Sequence, residues 1–474
     1  MNTISNWNKH INNNQMLAEG VELIKQIISI GINNNIKNPE AYIVGGAVRD
    51  MIIGNVNLDE MDIDISTNVP ISILDNYLET YSIGSNKDFG ILVVLSNGFD
   101  FEVAQYRSDG EYTDGRHPDT IEIVSDSKED AKRRDFTINS LYVDDEGNII
   151  DYFDGQKDIK NKVIRTVGDA HKRFDEDYIR MLRAVRFASR LDFDIEDETM
   201  KAIKDNAVKL ESIAPERIMK EVYKMAKQDG YKFAEAIVTM KDIGLLNVFL
   251  PEIVKMDEFE HEVEHHPEGN VFHHTIDAIR NTGSEDAIVN LATLLHDVGK
   301  IETHKLDEKG RHRYFGHDKR GSDMIEGIAD RLKMSKKDKQ SLQFAAKNHM
   351  KMHLLPEMKP SKIIKLINDD NWDVLETVAL ADAKARGDKF SEEEWGWVVD
   401  KIKAVKTKFS GSKDIAKIKK DISGKVVMDV LGITKGTREV GRIHRELIDW
   451  VINDNIDITN GDMIKDKIIE LSKQ

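Results

Sequence analysis

The chain of 474 residues contains no cysteine, which excludes disulfides, thiolate catalysis and Cys-ligated zinc. Any metal must therefore be held by Asp, Glu and His, and hard cations are the default expectation. No apolar run approaches the length of a bilayer span, and the opening MNTISNWNKH lacks the basic and apolar regions of a secretory signal. The expectation is a cytoplasmic protein with no membrane partner. Proline is scarce, at 8 residues, and no low-complexity linker marks a domain boundary. Net positive charge is lacking too: the formal charge is −17. That argues against indiscriminate coating of nucleic acid, because phosphate affinity comes from Lys and Arg releasing counterions. The 68 basic residues could still gather in a local groove.

What is present is enough apolar material, 40% of residues, to bury two to four modules. The polar, Asn-rich residues 1–20 read as a frayed lead-in or a solvated first turn. From about 40 to 145 short strands alternate with turns: AYIV before a Gly pair, MDIDI, ILVVL and FDFEVAQY. From about 170 onward helical periodicity dominates, as in DYIRMLRAVRFASRL, PERIMKEVYKMAKQ and AIVNLATLLHDVGK. The fold class is an α/β head with a mixed sheet, followed by a mostly α-helical remainder.

Two features of the head carry chemistry. AYIVGGAVRD reads strand, Gly45-Gly46, helix, and a glycine turn lets backbone N–H groups at a helix N-terminus approach a phosphate. In MDIDI, strand alternation puts Asp62 and Asp64 on one face and Met61, Ile63 and Ile65 on the other. Two carboxylates on a buried strand repel unless a cation such as Mg²⁺ joins them. FDFEVAQY turns Phe99, Phe101 and Val103 inward, with Asp100 and Glu102 opposite, which makes Glu102 a candidate third carboxylate. A D-x-D in a solvated edge strand is the competing reading of this segment alone.

The order and spacing of GGAVRD, DEMDIDIST, YRSDGEYTDGRHPD, KRRDFTINSLYVD, DYFDGQKDIKNKVIRTVGD and FDEDYIRMLRAVRFASRLDF resemble the class II CCA-adding enzyme and bacterial poly(A) polymerase family across about 150 residues. The resemblance implies a polymerase-β-like nucleotidyltransferase head with Asp62 and Asp64 as Mg²⁺ ligands. Arg49 and Asp50 would organise the glycine turn. Arg133, Arg134 and Asp135 would meet the ribose and triphosphate, with Arg107, Asn139, Arg183 and Arg186 as further nucleotide-binding candidates. It divides the chain into a lead-in (1–20), a nucleotidyltransferase head (21–145), a helical neck and body with the nucleotide selector (146–260), an HD phosphohydrolase-like domain (261–400) and a helical tail (401–474).

Spacing three places Asp177 and Arg180 on one face at the start of a helix. An acceptor-only Asp beside a donor-only Arg complements cytosine and adenine, whereas uracil and guanine present the opposite order. Taken alone the pair also fits a surface i, i+3 ion pair. In the family the Glu-Asp-x-x-Arg motif, here Glu176 to Arg180, carries base recognition. That implies CTP and ATP as substrates and the 3′ end of tRNA as partner. The loop from Arg107 to Arg116, with Asp109, Asp114 and Arg116, matches the family's flexible loop and argues against a CC-only enzyme.

Between 271 and 382 lie VFHHTIDAI, LATLLHDVGK, YFGHDKRG, KNHM and LADAKA, which resemble the HD superfamily of metal-dependent phosphohydrolases. The resemblance implies a divalent cation of unspecified identity held by His274, His296, Asp297 and Asp382. His273, His317 and His349 are auxiliary candidates. In the tail Gly436 and Gly441 flank a helix start, and Lys435, Arg438 and Arg442 are candidate tRNA contacts. Competing with a CCA-adding enzyme are a poly(A) polymerase-type member and an HD phosphohydrolase with a non-catalytic RNA-binding head. The sequence carries no signal of oligomeric state.

Overall fold

In a computed structural model the described residues are 3–54, 62–81, 90–110, 120–260, 269–409, 418, 420–454 and 456–473. They form two compact units, Met1–Gln228 with Glu235–Pro251 and Asp229–Ala234 with Glu252–Gln474. No helix among the described residues is long and apolar enough to cross a membrane.

The first unit is built on strands β1 (Ala41–Val44), β2 (Asp64–Thr67), β3 (Thr80–Tyr81), β4 (Ile91–Ser96), β5 (Phe99–Gln105), β6 (Arg107–Asp109), β7 (Ile121–Ile123), β8 (Leu141–Val143) and β9 (Ile149–Asp151). Seven of them make a mixed sheet in the order β3-β4-β5-β2-β1-β8-β9, while β6 and β7 pair separately. Strand β2 sits in the middle, antiparallel to β1 and parallel to β5. The helix Gln15–Asn33 buries Leu17, Val21, Ile24 and Ile27, a spacing that puts them on one side of the helix. At Gly20 an added Cβ would come within 3.3 Å of both Ile63 and Phe101, so backbone and sheet approach closely there.

Two expectations change. The lead-in is packed rather than frayed: Ile4 and Trp7 are buried, the Trp7 indole donates to the Asp145 carbonyl, and Trp7–Asn13 is helical. Two apolar side chains among the asparagines suffice to dock the segment. The second change is at MDIDI, where the strand begins at Asp64 and Asp62 precedes it, Met61 lying outside the described residues. Val44 pairs with Asp64, and at Gly45 the chain leaves β1, so no partner on that side extends to residue 62. The alternation in burial survives, with Ile63 and Ile65 fully buried, Asp62 exposed and Asp64 half-buried.

In the second unit the helices Val271–Arg280, Ala287–Leu295, His317–Arg331, Lys336–His353 and Trp372–Ala385 pack on one another. A separate apolar core joins Met352, Leu355 and Ile363 to Val440, Ile443, Leu447 and Ile468 of the C-terminal helices.

Candidate functional site

A cavity of about 770 Å³ in the first unit opens at the glycine turn and is lined by Gly45, Gly46, Asp62, Asp64 and a ring of cationic side chains. The helix Gly46–Ile53 follows β1 directly, and Gly45 turns the chain at φ 73° and ψ −128°, a conformation that a side chain would strain. Asp64 enters from β2. Burial and then the charges of Asp62 and Glu102 push its carboxyl up to about 6, against the pull of Arg134. Glu102 is the register partner of Asp64 on β5, although it does not line the cavity. The crowding of three carboxylates fits a cation, though their oxygens form no group of three within 4.8 Å of one another among the described residues.

The arginines are held by buried acids. Asp130 is fully buried and accepts from Arg133 at 2.8 Å, Arg134 at 3.3 Å, the Tyr142 hydroxyl at 2.6 Å and Ser66 at 3.2 Å. Burial opposes its charge, but the two guanidinium groups outweigh it and lower the carboxyl to about 2. Asp135 accepts from Arg183 Nε at 2.8 Å and from Asn139 at 3.0 Å, and is likewise lowered to about 2 against burial. Arg49, buried, donates to Asp50 at 2.8 Å and to Asn139 at 2.6 Å. Arg186 pairs with Glu221 at 2.6 Å and stacks over Phe187.

Asp177 and Arg180 both line this cavity, but not as two positions of one helix. One helix, Ala170–Glu176, ends at Asp177 in extended backbone, and Ile179–Leu191 begins after the break. The Asp177 carboxylate accepts from the Ile179 N–H at 3.2 Å, as a cap does, and from Arg217 at 2.8 Å. Arg180 donates to Glu176, to the Arg173 carbonyl at 2.8 Å and to the Arg133 carbonyl at 3.1 Å. Asp177 and Arg180 are thus braced by their neighbours instead of by each other.

Sequence reasoning missed Asp130, Arg217, Lys220 and Lys224. The last three lie three to seven residues apart on the helix Pro215–Ala226, whose polar stripe faces the cavity. Arg107 begins β6, and its backbone N–H reaches Asp130 at 3.4 Å, but it does not line the cavity. Asp109 ends β6; Asp114 and Arg116 lie outside the described residues.

A second site lies wholly in the second unit. His274, His296, Asp297, His317, His349 and Asp382 converge although they come from five stretches spread over 109 residues. His274 Nε2 is 2.9 Å from Asp382, His296 Nε2 is 3.2 Å from Asp297, and His317 Nε2 is 3.3 Å from Asp297. His349 Nε2 is 3.3 Å from His317 Nε2. Ligand atoms of His274, His296 and Asp382 lie within 4.8 Å of one another, as do those of His296, Asp297 and His349. His296 Nε2 and Asp297 Oδ1 are buried without a hydrogen-bond partner, which suits a donor set built for a cation. Burial opposes charge on His296, but Asp297 and Asp382 prevail and push the imidazole up to about 10. The carboxylates demand positive charge at this point, from a proton or from a metal. Burial and the neighbouring His296 hold His349 down at about 3, a neutral imidazole able to donate a lone pair.

His273 does not join them. One residue along a helix is about 100° around it, so His273 is exposed while His274 is fully buried. Lys300, 2.6 Å from Asp297, and His353, 3.4 Å from Asp382, are additions that i+3 and i+4 spacing from Asp297 and His349 could have suggested. In the tail Lys435 and Arg438 are exposed, but Arg442 is occupied by Glu446 at 2.9 Å and the Leu471 carbonyl at 2.9 Å. Gly441 lies inside the helix Arg438–Asp454 and not before it.

Residues 41–165 match the family described as poly A polymerase head domain, and residues 192–256 match the probable RNA and SrmB-binding site of polymerase A. A CCA-adding enzyme of Ligilactobacillus salivarius is 47% identical over 187 residues, 39% of this chain and 45% of that protein. One from Geobacillus thermodenitrificans is 42% identical over 221 residues, 46% of this chain and 53% of that protein. The alignments thus span about half the length of these curated relatives. Among solved structures, a Bacillus stearothermophilus CCA-adding enzyme in complex with CTP is similar with a TM-score of 0.69 and 24% identity, over 96% of this chain and 97% of the other. A Thermotoga maritima CCA-adding enzyme complexed with tRNA has a TM-score of 0.58 and 19% identity, over 99% of each.

Proposed function

From a chain whose residues 41–165 and 192–256 belong to the poly A polymerase head and RNA-binding family, we propose a CCA tRNA nucleotidyltransferase that extends the 3′ end of tRNA from CTP and ATP. The observation that carries this is the single cavity joining Asp62 and Asp64, the Gly45-Gly46 turn, the arginines and the Asp177/Arg180 pair. In the reaction the terminal 3′-hydroxyl oxygen forms a bond to the α-phosphorus, the α–β bridging P–O bond breaks, and pyrophosphate leaves while the hydroxyl proton passes to solvent. Asp62 and Asp64, with Glu102 beside them, would hold Mg²⁺, which activates the hydroxyl and neutralises the leaving phosphates. Gly45 and Gly46 leave backbone N–H groups open to phosphate oxygens, and Arg133, Arg134 and Arg183 supply fixed positive charge. Asp177 accepts from the exocyclic amino group of cytosine or adenine, and Arg180 donates to the adjacent ring nitrogen. Arg217 and Glu176 preorganise that pair. Each carboxylate oxygen of Asp177 has a second lone pair for the base. Labelled CTP should enter a tRNA lacking its CCA end with wild-type protein and not with Asp64→Asn; equal labelling by both would reject this assignment.

The second unit supports a second activity, hydrolysis of phosphate esters at damaged tRNA ends. His274, His296, Asp297 and Asp382 would hold a divalent cation, which lowers the pKa of water. Water then adds to phosphorus, one P–O ester bond breaks, and the departing oxygen takes a proton. His317 and His349 line the approach; with Nδ1 of each facing a backbone carbonyl and the rings held neutral, their Nε2 lone pairs would serve as auxiliary ligands to the cation. Metal-dependent opening of 2′,3′-cyclic AMP that disappears in His274→Ala tests this, and its absence from metal-supplied wild type would overturn it.

A further inference from the structure

The histidine cluster opens into a cavity of about 630 Å³. A phosphate ester needs little of that volume, which lies in the range of pockets that enclose whole small molecules. The inner wall is charged, with Lys300 and Arg386 beside Asp297 and Asp382. The outer wall is aromatic, with Phe315, Phe390, Trp395 and Trp397. Phe315 and Trp397 are 83% and 55% exposed, so they leave ring faces to solvent that a core would bury. Trp397 does not serve the packing of its own helix, Glu392–Lys408, whose buried face is Val398, Ile402 and Val405.

A charged wall at the metal-ligand cluster and an aromatic wall at the mouth divide the ligand into an anionic and a flat part. Resting on the phosphohydrolase reading above, we infer that this cavity takes a nucleotide, its ester phosphate against Lys300 and Arg386 and its base stacked on Trp397 and Phe315. Glu357 and Glu394 also line the mouth. Their charge opposes a phosphate chain running past it and favours a terminal nucleotide with one phosphate, while their oxygens can accept from ribose hydroxyls or a base amino group. Trp397 is therefore a specificity residue, worth about a tenfold or larger factor in affinity for a base-bearing ester.

The test uses the full chain with adenosine 3′-monophosphate and the base-free glycerol 2-phosphate. The one tryptophan of the first unit, Trp7, is buried under Asp145, so fluorescence quenching reports the second unit. Adenosine 3′-monophosphate should quench the wild type in chelator, and glycerol 2-phosphate should not. By calorimetry Trp397→Ala should bind adenosine 3′-monophosphate about tenfold more weakly, with Trp397→Phe close to wild type. With metal, the KM for adenosine 3′-monophosphate should rise similarly in Trp397→Ala, and kcat/KM for glycerol 2-phosphate should stay the same. Turnover of both esters with Trp397→Ala affecting them equally overturns the base platform and leaves the hydrolase standing. Trp397-dependent binding without turnover of either does the reverse. Absence of both binding and quenching overturns the inference.

Discussion

Asp130→Asn isolates one buried charge that anchors two cavity arginines. The carboxylate accepts from Arg133, Arg134, Tyr142 and Ser66 while fully buried. Its ordinary value of 3.8 falls to about 2 in the folded protein, which corresponds to ~2–3 kcal/mol of stability. A depressed carboxyl contributes fully above the unfolded value, near pH 4, and the contribution disappears as pH falls through about 2. Asparagine keeps the shape but not the charge, so two guanidinium groups lose their counterion. Urea unfolding at pH 7 should show the variant weaker by ~2–3 kcal/mol. The gap should narrow steadily between pH 4 and pH 2. CTP incorporation should fall alongside, because Arg133 and Arg134 lose their fixed positions. A gap that is constant across that pH range would refute the electrostatic account and leave only a packing defect.

Asp177→Ala should lower the preference for CTP over UTP by about ten- to a hundredfold, the worth of a charge-assisted hydrogen bond, with the Mg²⁺ dependence of addition unchanged. Competition between the two triphosphates on one tRNA measures it. The two sites should separate cleanly. Asp62→Ala should abolish nucleotide addition and keep 2′,3′-cyclic AMP hydrolysis, and His296→Ala should do the opposite, both read on the same preparations. Gly299→Ala should lower the melting temperature and hydrolysis together, because its Cβ would fall 2.1 Å from the His317 carbonyl oxygen and 2.4 Å from Gly321 N. Overpacking of this kind costs ~1–3 kcal/mol and moves His317 off Asp297.

The strands of the head and the glycine turn were legible because alternation and a Gly pair are local signals; the strand order, which pairs Val44 with Tyr142 and Asp64 with Glu102, rests on distant contacts and was not. Alternation around Asp62 and Asp64 shows in burial, even though the strand itself starts three residues later than MDIDI suggests. The helix break at Asp177 was not legible. EDYIRM contains neither Pro nor Gly, and its apolar spacing continues through the break. An Asp that caps Ile179 two residues on is the local signal, and Arg217, 40 residues away, is the tertiary cause. Arg217, Lys220 and Lys224 escaped notice for a related reason. The helix Pro215–Ala226 announces its apolar face in sequence, but nothing local distinguishes a cavity-facing cationic stripe from a solvated one. The histidine cluster came from motif order, and periodicity further separates buried His274 from exposed His273. Arg442 shows the opposite failure, a basic residue that looks available in sequence and is consumed by Glu446 and the end of its own chain.

The central claim, that one cavity adds C, C and A without a nucleic-acid template, is tested most directly by sequencing the 3′ ends made on a tRNA that lacks them, with CTP and ATP both present. The account predicts tRNA ending uniformly in CCA, with addition stopping there. Homopolymeric A tails would instead indicate a poly(A) polymerase, and unextended ends alongside intact ester hydrolysis would leave the head as an RNA-binding module; either contradicts the account.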